Sequence, residues 1–128
     1  PLIGHSDADV GYHAVCDSIL GSLSMRDIGY YFNNKNLKWK NSNSEIFIKF
    51  CYQELVKSGY KIENLDINFI CETPNIKRVS TLMIKNLSKL LNTSTKRISI
   101  KATTNEKISF IGKGEGIAAE SIVQITNV

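Results

Sequence analysis

No apolar run in these 128 residues is long enough to cross a bilayer, which argues against a membrane-spanning helix within them. Cysteine is scarce, and Cys16, Cys51 and Cys71 form no CxxC or other zinc spacing. An odd number of thiols cannot pair completely. Each lies in an apolar-patterned segment, so all three are expected as reduced core residues in a reducing compartment. Arginine is limited to Arg26, Arg78 and Arg97, so the net charge of +4 comes mostly from lysines spread along the chain. Without clustering or basic–aromatic interleaving, that charge gives little support to nucleic-acid binding and suits a polyanionic small substrate at least as well. No signal or transit peptide is visible, although the abrupt start at Pro1 is compatible with one having been removed. There is no internal repeat and no linker composition. No segment sets a nucleophile beside a base and an orienting acid, so a covalent hydrolase mechanism has little support. The sequons Asn86-Leu87-Ser88 and Asn92-Thr93-Ser94 are read as noise, the first lying inside a helical pattern.

What is present fits one soluble globular domain over residues 1–128, with 42% hydrophobic and 22% charged residues. A first helix is expected over about residues 9–24, with Gly21 weakening its last turn. Asp27-Ile28-Gly29 starts an irregular polar loop that continues through Asn33, Asn34, Lys35, Asn36 and Asn41. A loop of that length inside a compact domain is usually functional. Ser42-Asn43-Ser44-Glu45 reads as a capping box opening a second helix, which places Phe47, Phe50, Cys51 and Leu55 on one side and stops near Gly59. Leu65, Ile67, Phe69 and Cys71 alternate with Asp66 and Asn68 as in a half-buried strand, which Thr73-Pro74 breaks. Val79, Leu82, Met83, Leu87, Leu90 and Leu91 recur at helical spacing. Ile98, Ile100 and Ala102 make a second strand, and residues 117–126 a third. That order predicts an α+β sandwich, a sheet with helices packed on one face.

The densest chemistry lies at the start. Gly4-His5-Ser6-Asp7-Ala8-Asp9-Val10-Gly11-Tyr12-His13 holds two histidines and two carboxylates, ligand types that a zinc-class metal accepts. On a helix, Asp9, His13 and Asp17 would line one face at four-residue spacing. A solvated face with an N-terminal aspartate explains Asp9 and His13 equally well. Lys101-Ala102-Thr103-Thr104-Asn105-Glu106-Lys107 leaves a strand end, where hydroxyls and amides could hold a phosphate and Glu106 a hard cation such as Mg²⁺. On pattern alone, an ordinary strand-end turn remains the simpler reading. Cys71-Glu72-Thr73-Pro74-Asn75-Ile76-Lys77 leaves another strand end, and its backbone could meet a base edge. Here too a plain strand-to-helix turn punctuated by Pro74 is the simpler reading. Gly112-Lys113-Gly114-Glu115-Gly116 has the wrong spacing for a P-loop or a dinucleotide fingerprint and reads as a tight turn.

Taken together and in order, these segments resemble the 2-C-methyl-D-erythritol 2,4-cyclodiphosphate synthase family of the non-mevalonate isoprenoid pathway. The resemblance rests on His5-Ser6-Asp7-Ala8-Asp9 with His13, Asp27-Ile28-Gly29, Phe32, Ala102-Thr103-Thr104-Asn105-Glu106-Lys107, and Phe110 to Gly116. It implies an intramolecular phosphoryl transfer in 4-diphosphocytidyl-2-C-methyl-D-erythritol 2-phosphate, giving the cyclic diphosphate and CMP. It also implies a zinc-type ion plus Mg²⁺ or Mn²⁺, and a homotrimer with active sites between subunits. Carried over by resemblance, His13 and Glu106 are metal ligands. His5 and Thr104 stabilise the transition state, and His5 and Ser6 belong to a mobile substrate loop. Asp27, Ile28, Gly29, Phe32, Asn33, Asn34, Lys35 and Asn36 match the methylerythritol phosphate region. Cys71, Glu72, Thr73, Pro74, Asn75, Ile76 and Lys77 match the cytosine pocket, and Thr103, Thr104, Asn105 and Glu106 the diphosphate clamp. Hydrophobic residues near Phe110 are expected to line a cavity on the three-fold axis, with Lys113 where many members carry arginine.

Besides Lys113, the sequence departs from the family in two places. The family's Asp-x-His metal ligands are expected upstream of Pro1. The Asn33-Asn34 pair puts an amide where the family usually has the carboxylate of Pro-Asp. Asp17, one turn after His13, is expected to orient that histidine, an inference from helical geometry rather than from the resemblance. The compartment expected is a plastid-type, apicoplast-like organelle or a bacterial cytoplasm. Two other readings stay open: a non-catalytic nucleotide- or phosphate-binding trimer, and a small basic RNA-binding domain.

Overall fold

The computed structural model describes residues 5–32, 41–71, 77–103 and 116–128, with side chains from residue 7, 44 and 79 onward in the first three stretches. Helices α1 (His5–Ser22), α2 (Ile28–Tyr31) and α3 (Asn41–Lys57) precede strand β1 (Tyr60–Ile70). Helix α4 (Lys77–Leu90), a single 3-10 turn (Thr95–Arg97), β2 (Ile98–Thr103) and β3 (Ala118–Asn127) follow. The predicted α+β architecture holds. The sheet has the order β2-β1-β3, with β1 parallel to β2 and antiparallel to β3. A parallel neighbour requires a crossover, and α4 is the crossover element.

Leu65, Ile67 and Phe69 of β1 are buried, while Asp66, Asn68 and Ile70 alternate onto the opposite face. The first set meets Val15, Cys16, Ile19 and Leu20 of α1, Phe47, Ile48, Cys51 and Leu55 of α3, and Met83 and Leu87 of α4 in one core. Each such side chain contributes roughly 1.5–3 kcal/mol when withdrawn from water. Helix α1 lies very close to the sheet, because a Cβ on Gly11 would stand 2.6 Å from Phe69 Cζ and 2.8 Å from Met83 Cε. The opposite face of the sheet, carrying Asp66, Lys101, Glu120 and the 74% exposed Ile122, is not covered by any described element.

Several local expectations are revised. Helix α1 begins at His5, not near Asp9, so His5 and Ser6 have helical backbone in its first turn rather than lying in a preceding loop. The polar segment after Asp27 contains α2, a four-residue helix too short to leave a periodic signature. Leu82, placed on the core side by spacing, is 60% exposed, while Met83 beside it is buried. The backbone at Ser42 is already helical, and its side chain lies outside those described, as does the proposed capping contact.

The helix ends follow rules that the sequence shows only weakly. After α1, Ser24 adopts φ 59° while Met25 N–H reaches Leu20 O at 2.9 Å and Ser24 N–H reaches Gly21 O at 3.0 Å. After α4, Asn92 at φ 49° and Thr93 N–H bonded to Ser88 O repeat the arrangement. Both are Schellman closures, which satisfy carbonyls orphaned at the helix end.

Candidate functional site

One end of the sheet gathers the segments singled out in the sequence. The end of β1 sets Ile70 between Thr103 of β2 and Ala118 of β3. Beyond it, Cys71 N–H donates to Thr103 O at 3.1 Å. Cys71 and Thr103, where β1 and β2 end, therefore lie side by side. Gly11 crosses over Phe69, itself paired with Ala102 and Ala119, so the first half of α1 lies over this same end. Ser18 Oγ is 3.1 Å from Ser121 Oγ, and Ser121 pairs with Ile67, two residues further down β1.

On α1, the four-residue spacing works as expected, but the members diverge in environment. Asp9 is buried and accepts a hydrogen bond from Ser44 Oγ of α3 at 2.9 Å. His13 and Asp17 are part-exposed, with Nε2 of the ring 3.1 Å from Asp17 Oδ2. The other oxygen, Asp17 Oδ1, accepts from Ile28 N–H at 2.9 Å. One carboxylate thus spans His13 and the Asp27-Ile28-Gly29 turn. A carboxylate oxygen only accepts, so Nε2 is the donor in this contact, which fixes the orientation of the ring.

Asp27 is the N-cap residue of α2, in extended conformation, exposed and without a side-chain capping bond. A Cβ on Gly29 would stand 3.2 Å from Asp27 Oδ2, so glycine keeps space beside that carboxylate. Ile28 is fully buried and anchors the turn. Phe32 closes α2 by donating its N–H to Ile28 O and packs edge-on against Phe47 and Phe50, at centroid distances of 4.8 and 5.1 Å. Tyr31 tilts against Phe50 at 5.4 Å, its hydroxyl accepts from Arg26 N–H, and Arg26 lies over the Tyr30 ring. Edge-to-face geometry of this kind holds rings at fixed angles.

Burial pushes the Tyr12 hydroxyl above its ordinary range, helped by the Asp9 and Glu45 carboxylates and opposed by a hydrogen bond from Asn86. Tyr12 accepts that bond from Asn86 Nδ2 of α4 at 3.4 Å. Helix α1 is therefore tied to α3 through Asp9 and to α4 through Tyr12.

Cys71 is buried at the mouth of its segment, and Thr103 is exposed at the end of β2. The side chains of His5, Ser6 and Lys77 lie outside those described. So do residues Asn33, Asn34, Lys35, Asn36, Glu72, Thr73, Pro74, Asn75, Ile76, Thr104, Asn105, Glu106, Phe110 and Lys113. Among the described residues no three His, Cys, Asp or Glu side chains are grouped to hold a metal. His13, with its ring oriented by a carboxylate, has the donor chemistry of one ligand to a zinc-type ion. Among the described residues no helix is long and apolar enough to cross a membrane. Sequence reasoning did not find Ser44 as a partner of Asp9 or Tyr31 as a brace for the 26–32 turn. The first pair lies 35 residues apart, and the second falls in a segment without periodicity, so no local pattern marks either.

Comparison with known proteins extends the assignment along the chain. Residues 1–126 match the YgbB family. The chain is 44% identical over 124 residues to the 2-C-methyl-D-erythritol 2,4-cyclodiphosphate synthase of Cereibacter sphaeroides, covering 97% of this chain and 78% of that protein. It is 48% identical over 118 residues to the bifunctional enzyme IspD/IspF of Bartonella quintana, covering 92% of this chain but only 30% of that protein. The chain thus spans less than a third of such bifunctional relatives. Among solved structures, the Plasmodium falciparum IspF CDP complex superposes with a TM-score of 0.83 at 36% identity, over 98% of this chain and 75% of that one. The chain belongs to the YgbB family, alongside the 2-C-methyl-D-erythritol 2,4-cyclodiphosphate synthases.

Proposed function

We propose that this chain is a cyclodiphosphate synthase, a phosphorus–oxygen lyase. It would convert 4-diphosphocytidyl-2-C-methyl-D-erythritol 2-phosphate to 2-C-methyl-D-erythritol 2,4-cyclodiphosphate and CMP. The observation that carries the reading is the Asp17 bridge from His13 to Ile28 N–H, within a chain that matches the family nearly end to end. It joins the residue read as a metal ligand to the turn read as holding the methylerythritol phosphate. An oxygen of the 2-phosphate bonds to the β-phosphorus, the bond from that phosphorus to the bridging oxygen breaks, and CMP leaves with the electron pair. Such a transfer requires no protein nucleophile, only alignment and charge neutralisation.

A zinc-type ion, with Mg²⁺ or Mn²⁺, would supply that neutralisation when bound. In this reading His13 and Glu106 hold the metals, and Asp17 positions His13. His5 and Thr104 act on the transferring phosphoryl group, with Ser6 beside the substrate. The Asp27 to Gly29 turn and Phe32 hold the sugar phosphate, together with residues 33–36. Residues 71–77 take the cytosine, and residues 103–106 clamp the diphosphate. The CDP bound in the Plasmodium falciparum relative supports a cytidine diphosphate ligand. Lys113 and Phe110 are read as lining an axial cavity. The relatives' bacterial and Plasmodium sources suit either a bacterial cytoplasm or a plastid-type organelle.

We also read the protein as a homotrimer with sites between subunits. The uncovered sheet face supports this, since it carries the exposed Ile122 and a buried Asp66 oxygen, Oδ1, without a partner among the described residues. The other oxygen of Asp66 pairs with Lys101 Nζ at 2.9 Å.

The test is CMP release from the cognate substrate with Mg²⁺ and Zn²⁺ present. His13→Ala and Glu106→Ala are each expected to abolish turnover, and Asp17→Asn to lower it about 10–100-fold, the usual effect of losing a ligand's orienting partner. Substantial turnover by both alanine variants would overturn the assignment. CDP binding without any CMP release by the unmodified protein would favour a non-catalytic nucleotide-binding trimer.

A further inference from the structure

The aim of His13 depends on how α1 is rotated about its own axis. The buried apolar side chains of α1, from Ala8 through Leu20, form a broad arc of aliphatic and small residues with the Tyr12 ring among them. Such packing seats the helix and blocks a large roll, but leaves rotations of a few degrees to be set by finer contacts. Even a roll of 5° moves an atom at the helix surface by about 0.5 Å. A metal ligand tolerates less than that. Directional contacts must therefore set the rotation, and hydrogen bonds provide them. In the second half of α1 these are Asp17 to Ile28 N–H and Ser18 to Ser121. In the first half there are the long 3.4 Å bond from Asn86 to Tyr12 and the shorter 2.9 Å Asp9–Ser44 bond, both of whose residues are more than nine-tenths buried.

His13 lies four residues after Asp9 and four before Asp17, midway between the two anchors. His5 lies four residues before Asp9, in the first turn of the same helix. Ser44 belongs to the first turn of α3, directly after the 33–40 segment. We propose that Asp9 and Ser44 are positioning residues that fix the rotation of α1 and so aim His13 at its metal. The inference rests on the metal role of His13 given above. A buried carboxylate–hydroxyl pair between helices also stabilises the fold, so its test must read something other than stability.

The measurement is Zn²⁺ affinity, by competition with a chromophoric chelator, together with kcat and KM for CMP release. Both are made on the full-length protein carrying Ser44→Ala, Ser44→Thr, Asp9→Asn or His13→Ala. Ser44→Ala is expected to weaken Zn²⁺ binding about tenfold and to lower kcat by a similar factor, with KM within about twofold. Ser44→Thr, which keeps the hydroxyl, and Asp9→Asn, which keeps an acceptor oxygen, are expected to recover most of both. If Ser44→Ala does not fold, Ser44→Cys, a weak donor of similar size, is read for the same two losses. Zn²⁺ binding lost in His13→Ala but unchanged in the folded Ser44 variant overturns the positioning role alone. Zn²⁺ binding unchanged in His13→Ala overturns the metal reading, and the positioning role with it.

Discussion

Cys16 and Cys51 face each other between α1 and α3, with Cys51 Sγ 3.7 Å from the Cys16 carbonyl oxygen and neither residue exposed. Burial pushes the Cys16 thiol far above its ordinary range, with the neighbouring Cys51 thiol adding to the effect. A thiol that cannot ionise is a poor nucleophile. Cys71 is also buried, so the native protein is expected to react slowly at all three positions. A thiol-titrating reagent should register almost no cysteine under native conditions and three after denaturation. Fast native labelling of even one would contradict the packing described. The reduced, buried state of these residues was readable from their apolar settings. The carboxylate on His13 was readable too, because helical periodicity puts residue i+4 on the same face. The Asp17 contact with Ile28 and the Asp9 contact with Ser44 were not, since both depend on how separate elements meet. Spacing placed Asp9 and Asp17 alike, but tertiary packing buried only Asp9.

Two glycines in α1 test how the element is seated. Gly11 faces Phe69 and Met83 so closely that any Cβ must displace them, whereas a Cβ on Gly21 would meet nothing within 4 Å. Overpacking of this kind costs about 1–3 kcal/mol, and alanine recovers about 1 kcal/mol of helix propensity. Gly11→Ala should therefore lower the denaturation midpoint or leave it little changed, while Gly21→Ala should raise it by the propensity gain alone. Denaturant unfolding of both variants decides the matter, and a rise for Gly11→Ala equal to that for Gly21→Ala would show that α1 stands further from the sheet. At this scale the sequence was most legible where one period persists. The alternation of β1 and the helical spacing of α4 both survived, although β1 starts at Tyr60 rather than Leu65. The irregularity explains that late start, since the register slips between Ile62 and Asn64 and interrupts the alternation. Arg97, the last residue of the 3-10 turn before β2, supports the slip, donating to the Glu63 carbonyl and pairing with its carboxylate, each at 3.0 Å. Helix α2 was invisible because four residues carry no period.

The sheet as a whole has one face in the core and one face open among the described elements. An uncovered face of mixed charge with an exposed isoleucine suits association with further copies of the chain. Sedimentation equilibrium of the full-length protein is expected to return three times the chain mass, and Ile122→Lys, on the open face, to shift it toward one. A single-chain mass for the unmodified protein would remove the trimer. Fold class was legible at this scale because the succession of patterns restricts the choice of layers. Strand order was not, because nothing in β1 itself declares that it lies between β2 and β3.

That central place has a consequence for synthesis. Among the described residues, strand β1 pairs with both other strands, and both come later in the sequence. As the chain leaves the ribosome, β1 emerges with two bare rows of backbone donors and acceptors. Parallel pairing with β2 must wait for α4, and the antiparallel row stays open until β3 follows. During that interval the nascent sheet has an adhesive edge, so folding yield should depend on translation speed and chaperone supply more than native stability would suggest.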